Sequence, residues 1–542
     1  YMTKKSLVTS TAVLAAAGIL VKVLGAFFRI PLTNWIGAAG MANYAPAYAI
    51  YSVLLVVSTA GLPVATSKMV AERYAVGQYK EAERVFRLSR TIMIILGVAG
   101  AAAVLFGAGV IADIVHVPGS ALAMQATAPA LVIVPIMSAY RGYFQGQQNM
   151  NPTAVSQVME QIFRVGVGLS LGYFMMNGTL FAEQYDAGAR GAAGGCFGAS
   201  AGGLAGLVTV LFIYGLSKRA IKKRIRSDKN KVREPSSDII KTIVKIAVPI
   251  TIGAALLPLM NAIDASIVNY RLQASGWDVH TASDLYGQLT SMADPIIGFP
   301  QVFMQAIIVS IVPMVSAAKR LNDRAELNET VSLGLRMTTM IAFPCTVGLL
   351  ILAKPTLLLL YPLQKESAIS ATPCLQVLAI GFIFLGLVTT MTGILQGLTK
   401  QNWPVVNLAA GIAVKIIITW ILVGIHEINI VGAAIGTLCA YLTAAALDFR
   451  CVKKFTGVKI PVKETIVKPA VSAIVMGGFV FAAYRLFMMA GHNSVATLAS
   501  ILVGAVVYGI MIIKTKAITR DEIINIKFGG AIARVCDKLR LW

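Results

Sequence analysis

Apolar runs of membrane-spanning length, each closed by a short polar or basic segment, follow one another along the whole 542-residue chain. TIMIILGVAGAAAVLFGAGVIA (91–112) and VATLASILVGAVVYGIMII (495–513) contain no charged residue. A helix needs about 20 such residues to cross the hydrocarbon core of a bilayer. The pattern predicts fourteen spans, near 7–30, 43–66, 88–112, 121–144, 153–176, 191–215, 240–263, 287–315, 332–353, 370–396, 403–424, 430–450, 466–487 and 494–514. The first is expected to stay as a membrane helix rather than be cleaved as a signal, because no small-residue cleavage pattern opens into a soluble domain and further spans follow.

Composition agrees with this pattern. Hydrophobic residues make up 57% and charged residues 13%, against roughly 25% charged in soluble domains. The net charge of +23 would suggest nucleic acid in a soluble protein. Here, with the N-terminus placed in the cytoplasm, most Lys and Arg fall on inside segments, which is the positive-inside rule. The expected topology therefore puts both termini in the cytoplasm, with no nucleic-acid partner. The six cysteines (Cys196, Cys345, Cys374, Cys439, Cys451, Cys536) form no C-x-x-C pair and read as small buried hydrophobes.

The two halves of the chain resemble each other. Gln145-Gly146 and Gln396-Gly397 both end a span before a short polar loop, 251 residues apart (396 − 145). Pro63 in GLPVATSK and Pro313 in IVPMVSAAK both close a span before a basic loop, 250 apart (313 − 63), and RGAAGGCFG at 190 resembles VGAAIGTLC at 431. Six spans per repeat is an even number, so both copies enter from the same side, as in parallel-repeat transporters. The expected layout is all-α and polytopic. It places a six-helix bundle at 1–216, a basic linker at 217–239, a second six-helix bundle at 240–450, helices 13 and 14 at 451–514 and a basic tail at 515–542. The linker, SKRAIKKRIRSDKNKVREPSSD at 217–238, reads as a hinge that either follows topology alone or touches anionic lipid or a partner. Such a pair of bundles argues for a transporter rather than an enzyme, and no catalytic residues, metal or cofactor are expected.

Tempting motifs fail. GASAG (198–202) matches G-x-S-x-G but lies inside a Gly/Ala run, where small-residue helix packing explains it. His426-Glu427 begins H-E-x-x-H, but position 430 is Ile. There is no phosphate-binding P-loop, so energy is expected from the membrane potential, a sodium or proton gradient, or substrate consumption on the far side.

Ionisable groups within spans are costly and point to function. Lys22 and Arg29 are two turns apart on one helix face, a cationic surface suited to an anion such as phosphate, although Arg29 could also snorkel to the outer headgroups. Gln157, Glu160, Gln161 and Arg164 share one stripe, with Glu160 and Arg164 placed to pair with each other. That pair is either structural or a gate or substrate contact. Asp264, one turn from Asn261, and Asp294, before Pro295, could bind a coupling cation or pair with Lys22. Lys415 occupies the repeat position related to the fifth span and is a candidate second cavity cation. In YRGYFQGQQNMNP (140–152), Pro152 suits the first turn of the fifth span and Asn151 its N-cap. Arg141, Gln145 and Gln148 form a candidate cytoplasmic gate, the alternative being a turn with no gating role.

RGYFQGQQNMNPTAVSQVMEQIFR (141–164), GLPVATSKMVAE (61–72) and KVLGAFFRIPLTNWIGAAGM (22–41) closely resemble the polysaccharide-export branch of the MOP exporter superfamily, which holds the MurJ-like lipid II flippases and the stage V sporulation B proteins. The resemblance implies a flippase in the bacterial plasma membrane. Its cargo would be an undecaprenyl-diphosphate-linked saccharide, in the first place lipid II of peptidoglycan and cell-wall synthesis, moved by alternating access. Lys22 would stand at the family's first basic cavity position, as Lys for the usual Arg, and Arg29 at the second. Spans 13 and 14 would form a groove for the lipid tail, and cell-wall synthesis proteins would be partners. Span two lacks the arginine that better-studied members carry, and span eight offers Asp294 near the place of another. Arg164 or Lys415 would then complete the diphosphate clamp. Flippases for capsule, teichoic or spore-cortex precursors and a cation-coupled drug exporter are the alternatives, and the cationic first span argues against the last.

Overall fold

The computed structural model describes residues 4–228, 234–458, 461–489 and 491–518; the side chains of 4–16, 19, 22, 26, 306 and 309 also lie outside that description. The chain in these ranges is helical throughout, without strands. The helices are α1 (Lys4–Thr59), α2 (Gly61–Ala75), α3 (Tyr79–Ile114), α4 (Ser120–Gly146), α5 (Asn151–Asn177), α6 (Ala187–Ser227), α7 (Ser236–Ala274) and α8 (Val279–Gly287). They continue as α9 (Asp294–Arg320), α10 (Arg324–Leu360), α11 (Lys365–Ser370), α12 (Thr372–Gly397), α13 (Asn402–Val423), α14 (Val431–Thr456), α15 (Lys468–Met488) and α16 (Asn493–Lys514). Two π-helical turns, Gln288–Ala293 and Lys463–Val467, lead into α9 and α15.

Twelve of these segments are long and apolar enough to cross a membrane. Two local features bring the number to the fourteen spans predicted. The first segment runs 53 residues, Val23–Ala75, over twice the length one crossing needs. Gly37 divides it, with φ 74° and ψ 173°, a backbone region essentially reserved for glycine. The other feature is α5, 27 residues long, whose polar stripe lowers its hydropathy without shortening it. Large apolar side chains stand outward on the long helices, such as Phe106 (86% exposed) and Leu502 (68%). Backbone polar groups are satisfied within each helix, which is what a hydrocarbon surround demands.

The chain forms two compact units, residues 1–287 and 288–542. In the first, α7 packs on α1 and α2: the Gly61 N–H donates to Thr251 Oγ1 at 3.2 Å, and a methyl group at Gly61 would stand 2.1 Å from the Ala247 carbonyl oxygen. Its core is filled by Leu32, Tyr51, Met69, Phe86, Met124 and Tyr143, all nearly inaccessible. In the second, Cys374, Leu375 and Phe382 of α12 are fully buried, and Leu352, Met476, Val480 and Tyr508 join α10, α15 and α16. The Tyr361 hydroxyl donates to the Ser291 carbonyl at 3.1 Å, fixing the first π-helical turn.

Aspartates open several helices. Asp186 Oδ1 accepts the Ala189 N–H at 2.7 Å, and Asp323 Oδ1 accepts that of Glu326 at 3.0 Å. Asp278 accepts from the Thr281 hydroxyl and N–H, and these bonds hold its carboxyl below the usual carboxylate range. The expected cap at Asn151 is corrected: Asn151 is the first helical residue, and Asn149 Oδ1 accepts its N–H at 3.3 Å. The asparagine two residues earlier can curl back on a backbone that Asn151 has already committed to the helix. Pro152 sits in the first turn, as expected.

The basic segment after the sixth span is not an open loop at its start. Helix α6 continues to Ser227, burying Ile221 and leaving Lys218, Arg219, Lys222 and Lys223 exposed. Its far end is tied to the α2–α3 hairpin. The Lys80 N–H donates to Asp228 Oδ2 at 2.8 Å, Arg73 pairs with Glu234, and Arg84 donates to the Ser236 hydroxyl at 2.7 Å. Residues 229–233 and 519–542, including Cys536, are outside the described residues.

The internal repeat is visible in packing. Gln148 (φ 62°) and Thr399 (φ 60°) both take a left-handed backbone after α4 and α12. In each, the N–H of the left-handed residue bonds back to the glutamine carbonyl at 2.9 Å (Gln148 to Gln145, Thr399 to Gln396). Gly146 lies against Ser67 and Val70, and Gly397 against Val312 and Val315. The offset is 251 for the glycines but 245 for the helices they touch (315 − 70). Packing thus aligns Pro63 with Ile308 rather than with Pro313: Gly142 contacts Pro63, and Gly393 contacts Ile308. Both prolines precede basic loops, but that likeness is not positional equivalence.

Candidate functional site

The polar stripe of α5 meets α4 and α1 inside the first unit. Helix α6 sets its position. A methyl group at Gly198 would stand 2.6 Å from the Arg164 carbonyl oxygen, and one at Gly202 would stand 2.5 Å from that of Glu160. Thus the Gly/Ala run containing GASAG is the groove in which the α5 backbone rests, with the stripe's side chains directed to other neighbours.

Those side chains form an ion cluster. Glu160 divides its carboxylate between two arginines: Oε1 accepts from Arg164 at 3.1 Å and Oε2 from Arg141 at 3.0 Å. Arg141 Nε also donates to Ser156 Oγ at 2.8 Å, and that hydroxyl donates to the Thr153 carbonyl at 3.1 Å. On the other side, Arg164 donates to the Tyr48 hydroxyl at 3.3 Å. The three charged side chains are between 11% and 19% exposed, Arg164 the most. Two positive charges against one negative leave the cluster cationic.

Tyr44, Tyr48 and Tyr51 line one face of α1 beyond Gly37. Tyr44 and Tyr48 stack at 5.6 Å, Tyr48 and Tyr51 lie at 5.6 Å, and Tyr44 reaches Phe28 at 6.0 Å. A search for charge within spans passes over this ladder; its signal in the sequence is the i, i+4, i+7 spacing of NYAPAYAIY. Tyr51 Oη and Arg164 Nε are buried and make no hydrogen bond among the described residues.

The other candidates are distributed. Lys22 lies on α1, with its side chain outside the described residues. Arg29, half-buried on α1, and Asp264, on α7, belong to the same unit, and neither is unpaired. Gln145 donates to the Thr153 hydroxyl at 3.2 Å, while Gln148 faces outward at the turn. Of the three gate candidates, then, Arg141 belongs to the ion cluster, Gln145 ties α4 to α5, and Gln148 shapes the turn. In the second unit, Asp294 is exposed at the start of α9. Lys415 is buried in α13 (5% exposed), its stem 3.5 Å from where a methyl group at Gly436 would stand. A carboxylate not foreseen from sequence, Asp448 of α14, is 1% exposed and accepts from Asn407 Nδ2 at 2.7 Å.

A family model described as polysaccharide biosynthesis protein matches residues 7–319, more than half of the chain. The chain belongs to that family. Stage V sporulation protein B of Bacillus subtilis (strain 168) is 27% identical over 537 residues, covering 98% of this chain and 99% of that protein. Lipid II flippase MurJ of the same organism is 26% identical over 485 residues, covering 86% and 87%. A solved structure of lipid II flippase MurJ, in an inward closed conformation, superposes with a TM-score of 0.62 at 15% identity, over 92% of this chain and 97% of that one. Transporters of the MOP superfamily share this fold. The family member described here is therefore a multi-pass protein of the bacterial cytoplasmic membrane with the MurJ- and MATE-like architecture.

Proposed function

We propose that the chain is a flippase for lipid-linked oligosaccharides and that its cargo is lipid II, moved from the inner to the outer leaflet by alternating access. The observation that carries this reading is the cationic cluster of Arg141, Glu160 and Arg164, half-buried beside a tyrosine ladder in a bundle with an apolar exterior. A diphosphate cannot cross hydrocarbon with its charge unpaired. Lys22, Arg29 and Arg164 of the first unit replace water around it, and Lys415 is the second unit's own candidate cation. The polyprenyl tail stays in lipid, against the surface of α15 and α16. Asp264 in the first unit and Asp294 in the second are the candidate carboxylates for an ion or a charge pair. The orientation that fits places both termini and the basic loops in the cytoplasm, where an inside-negative potential opposes return of the anion.

Similarity to stage V sporulation protein B over nearly the full length favours one second reading, a flippase for a spore-cortex precursor. The test is lipid II translocation in proteoliposomes with an applied potential, comparing the wild type with Lys22→Ala/Arg29→Ala and with Arg164→Ala. Flipping by the wild type and loss in both folded variants is the expected result. Equal flipping by all three discards the site. No flipping by a folded wild type transfers the reading to another undecaprenyl-linked glycan.

A further inference from the structure

The cluster of Arg141, Glu160 and Arg164 is asymmetric. Arg141 is anchored on two sides, by Glu160 Oε2 and by Ser156 Oγ, and Ser156 is itself tied to the Thr153 carbonyl. Arg164 is held more loosely. One terminal nitrogen meets Glu160 Oε1 and the other a tyrosine hydroxyl at the long distance of 3.3 Å. Its Nε–H is buried without an acceptor, as is the hydroxyl of Tyr51, which lies within electrostatic range of Arg164. A guanidinium offers five N–H donors suited to oxyanions. Two buried donors, a cation and one oxygen of a shared carboxylate leave this corner rich in hydrogen-bond donors and short of acceptors.

We propose that Glu160 is an internal stand-in for the anionic head group: its Oε1 neutralises Arg164 when the site is empty, and an incoming phosphate oxygen displaces it while Arg141 retains the carboxylate through Oε2. The inference rests on the reading of this site as a diphosphate site and adds its exchange mechanism. Without Arg141, releasing Arg164 would leave a buried carboxylate unpaired, which is costly. With Arg141, one charge-assisted hydrogen bond is traded for another of the same kind. Glu160 and Arg141 are then positioning residues, and Arg164 is the group that touches the cargo. The exchange keeps binding from becoming so tight that release fails, and it keeps an empty carrier from holding a lone buried arginine.

The test is titration of the purified full-length chain in detergent with undecaprenyl diphosphate, using undecaprenol as the neutral control, alongside the translocation assay. Glu160→Gln removes the competing anion and is expected to bind the diphosphate about tenfold tighter, the value of one charge-assisted hydrogen bond, while turning over more slowly. Arg141→Ala leaves Glu160 to Arg164 alone and is expected to weaken binding, with Arg141→Lys restoring it. A merely structural role predicts the opposite for Glu160→Gln, weaker binding in step with a lower melting temperature. Unchanged or weakened binding by folded Glu160→Gln overturns the proposal. If that variant does not fold, an Arg141→Ala variant that binds like the wild type overturns it equally. A wild type that binds undecaprenyl diphosphate no better than undecaprenol removes the diphosphate reading itself, whereas discrimination by the wild type without tightening in Glu160→Gln removes only the exchange.

Discussion

Arg164 of α5 and Lys415 of α13 stand 251 residues apart at matching places in the two units, and their surroundings differ. Around Arg164 the carboxylate is one turn back on the same helix, at Glu160, and is shared with Arg141. At the position matching Glu160 the second unit has Gly411, and at that matching Ser156 it has Asn407. Its buried carboxylate comes instead from α14, where Asp448 takes the Asn407 amide. The scaffold of the repeat persisted, down to the left-handed turns at Gln148 and Thr399, while the chemistry mounted on it diverged. A backbone packed on glycines tolerates exchange of polar side chains that point away from the contact, so the two units carry different polar groups on one scaffold.

The comparison is broken most severely at Arg164. Arg164→Ala is expected to cost about 2 kcal/mol, the scale of one hydrogen bond to a charged group, since Glu160 keeps Arg141, and to abolish translocation. Lys415→Ala is expected to cost less and to reduce transport only partly. Thermal melting with the proteoliposome assay checks both, and equal losses would mean that the two cations do the same work.

The glycine seats come next. Gly202→Ala would place a methyl group 2.5 Å from the Glu160 carbonyl oxygen, a backbone atom, and overpacking of this kind costs about 1–3 kcal/mol. The methyl of Gly436→Ala would meet Thr419 Oγ1 at 2.3 Å. A hydroxyl can turn aside, so the expected cost is under about 1 kcal/mol, the low end of overpacking. Comparing the melting temperatures of the two variants decides whether the first unit is the more tightly registered.

Asp448→Asn sharpens the contrast between carboxylates. Asp448 Oδ2 makes no hydrogen bond among the described residues, so the neutral amide is expected within about 1 kcal/mol of the wild type, the scale of one neutral hydrogen bond. A loss of transport comparable to that of Arg164→Ala would instead give the second unit a charge of equal weight.

The smallest expected effect lies in the turns. Gln148→Gly should stabilise by about 0.5 kcal/mol in thermal melting, as relief of the left-handed backbone outweighs the added chain entropy. Thr399→Gly should gain less, because the Thr399 hydroxyl accepts from Lys319 at 2.8 Å.

Much of this architecture is legible in the chain itself. Span lengths follow from the thickness of a bilayer, and the break expected between the first two spans falls at Gly37. The pairing of Glu160 with Arg164 follows from helical spacing, as local geometry should. Arg141 stands out in the sequence as a gate candidate, but with no partner assigned to it. Its contact with Glu160 joins α4 to α5 across 19 positions, and periodicity carries no information about which helix faces which. Asp448 escapes a sequence reading for the same reason, since its partner Asn407 is on a neighbouring helix, whereas the tyrosine ladder is local to α1 and is passed over only by a search for charge.

By itself, the sequence determined a helical membrane protein with a repeated unit and a surplus of positive charge, because hydropathy, helical period and charge counts are sums over neighbours in the chain. Tertiary structure alone decided that Pro63 matches Ile308, that the helix seated on the GASAG glycines is α5, and that Glu160 is shared between two arginines. Those outcomes depend on the approach of backbones within a few ångströms, and the glycines that permit that approach look in sequence like any other small residue.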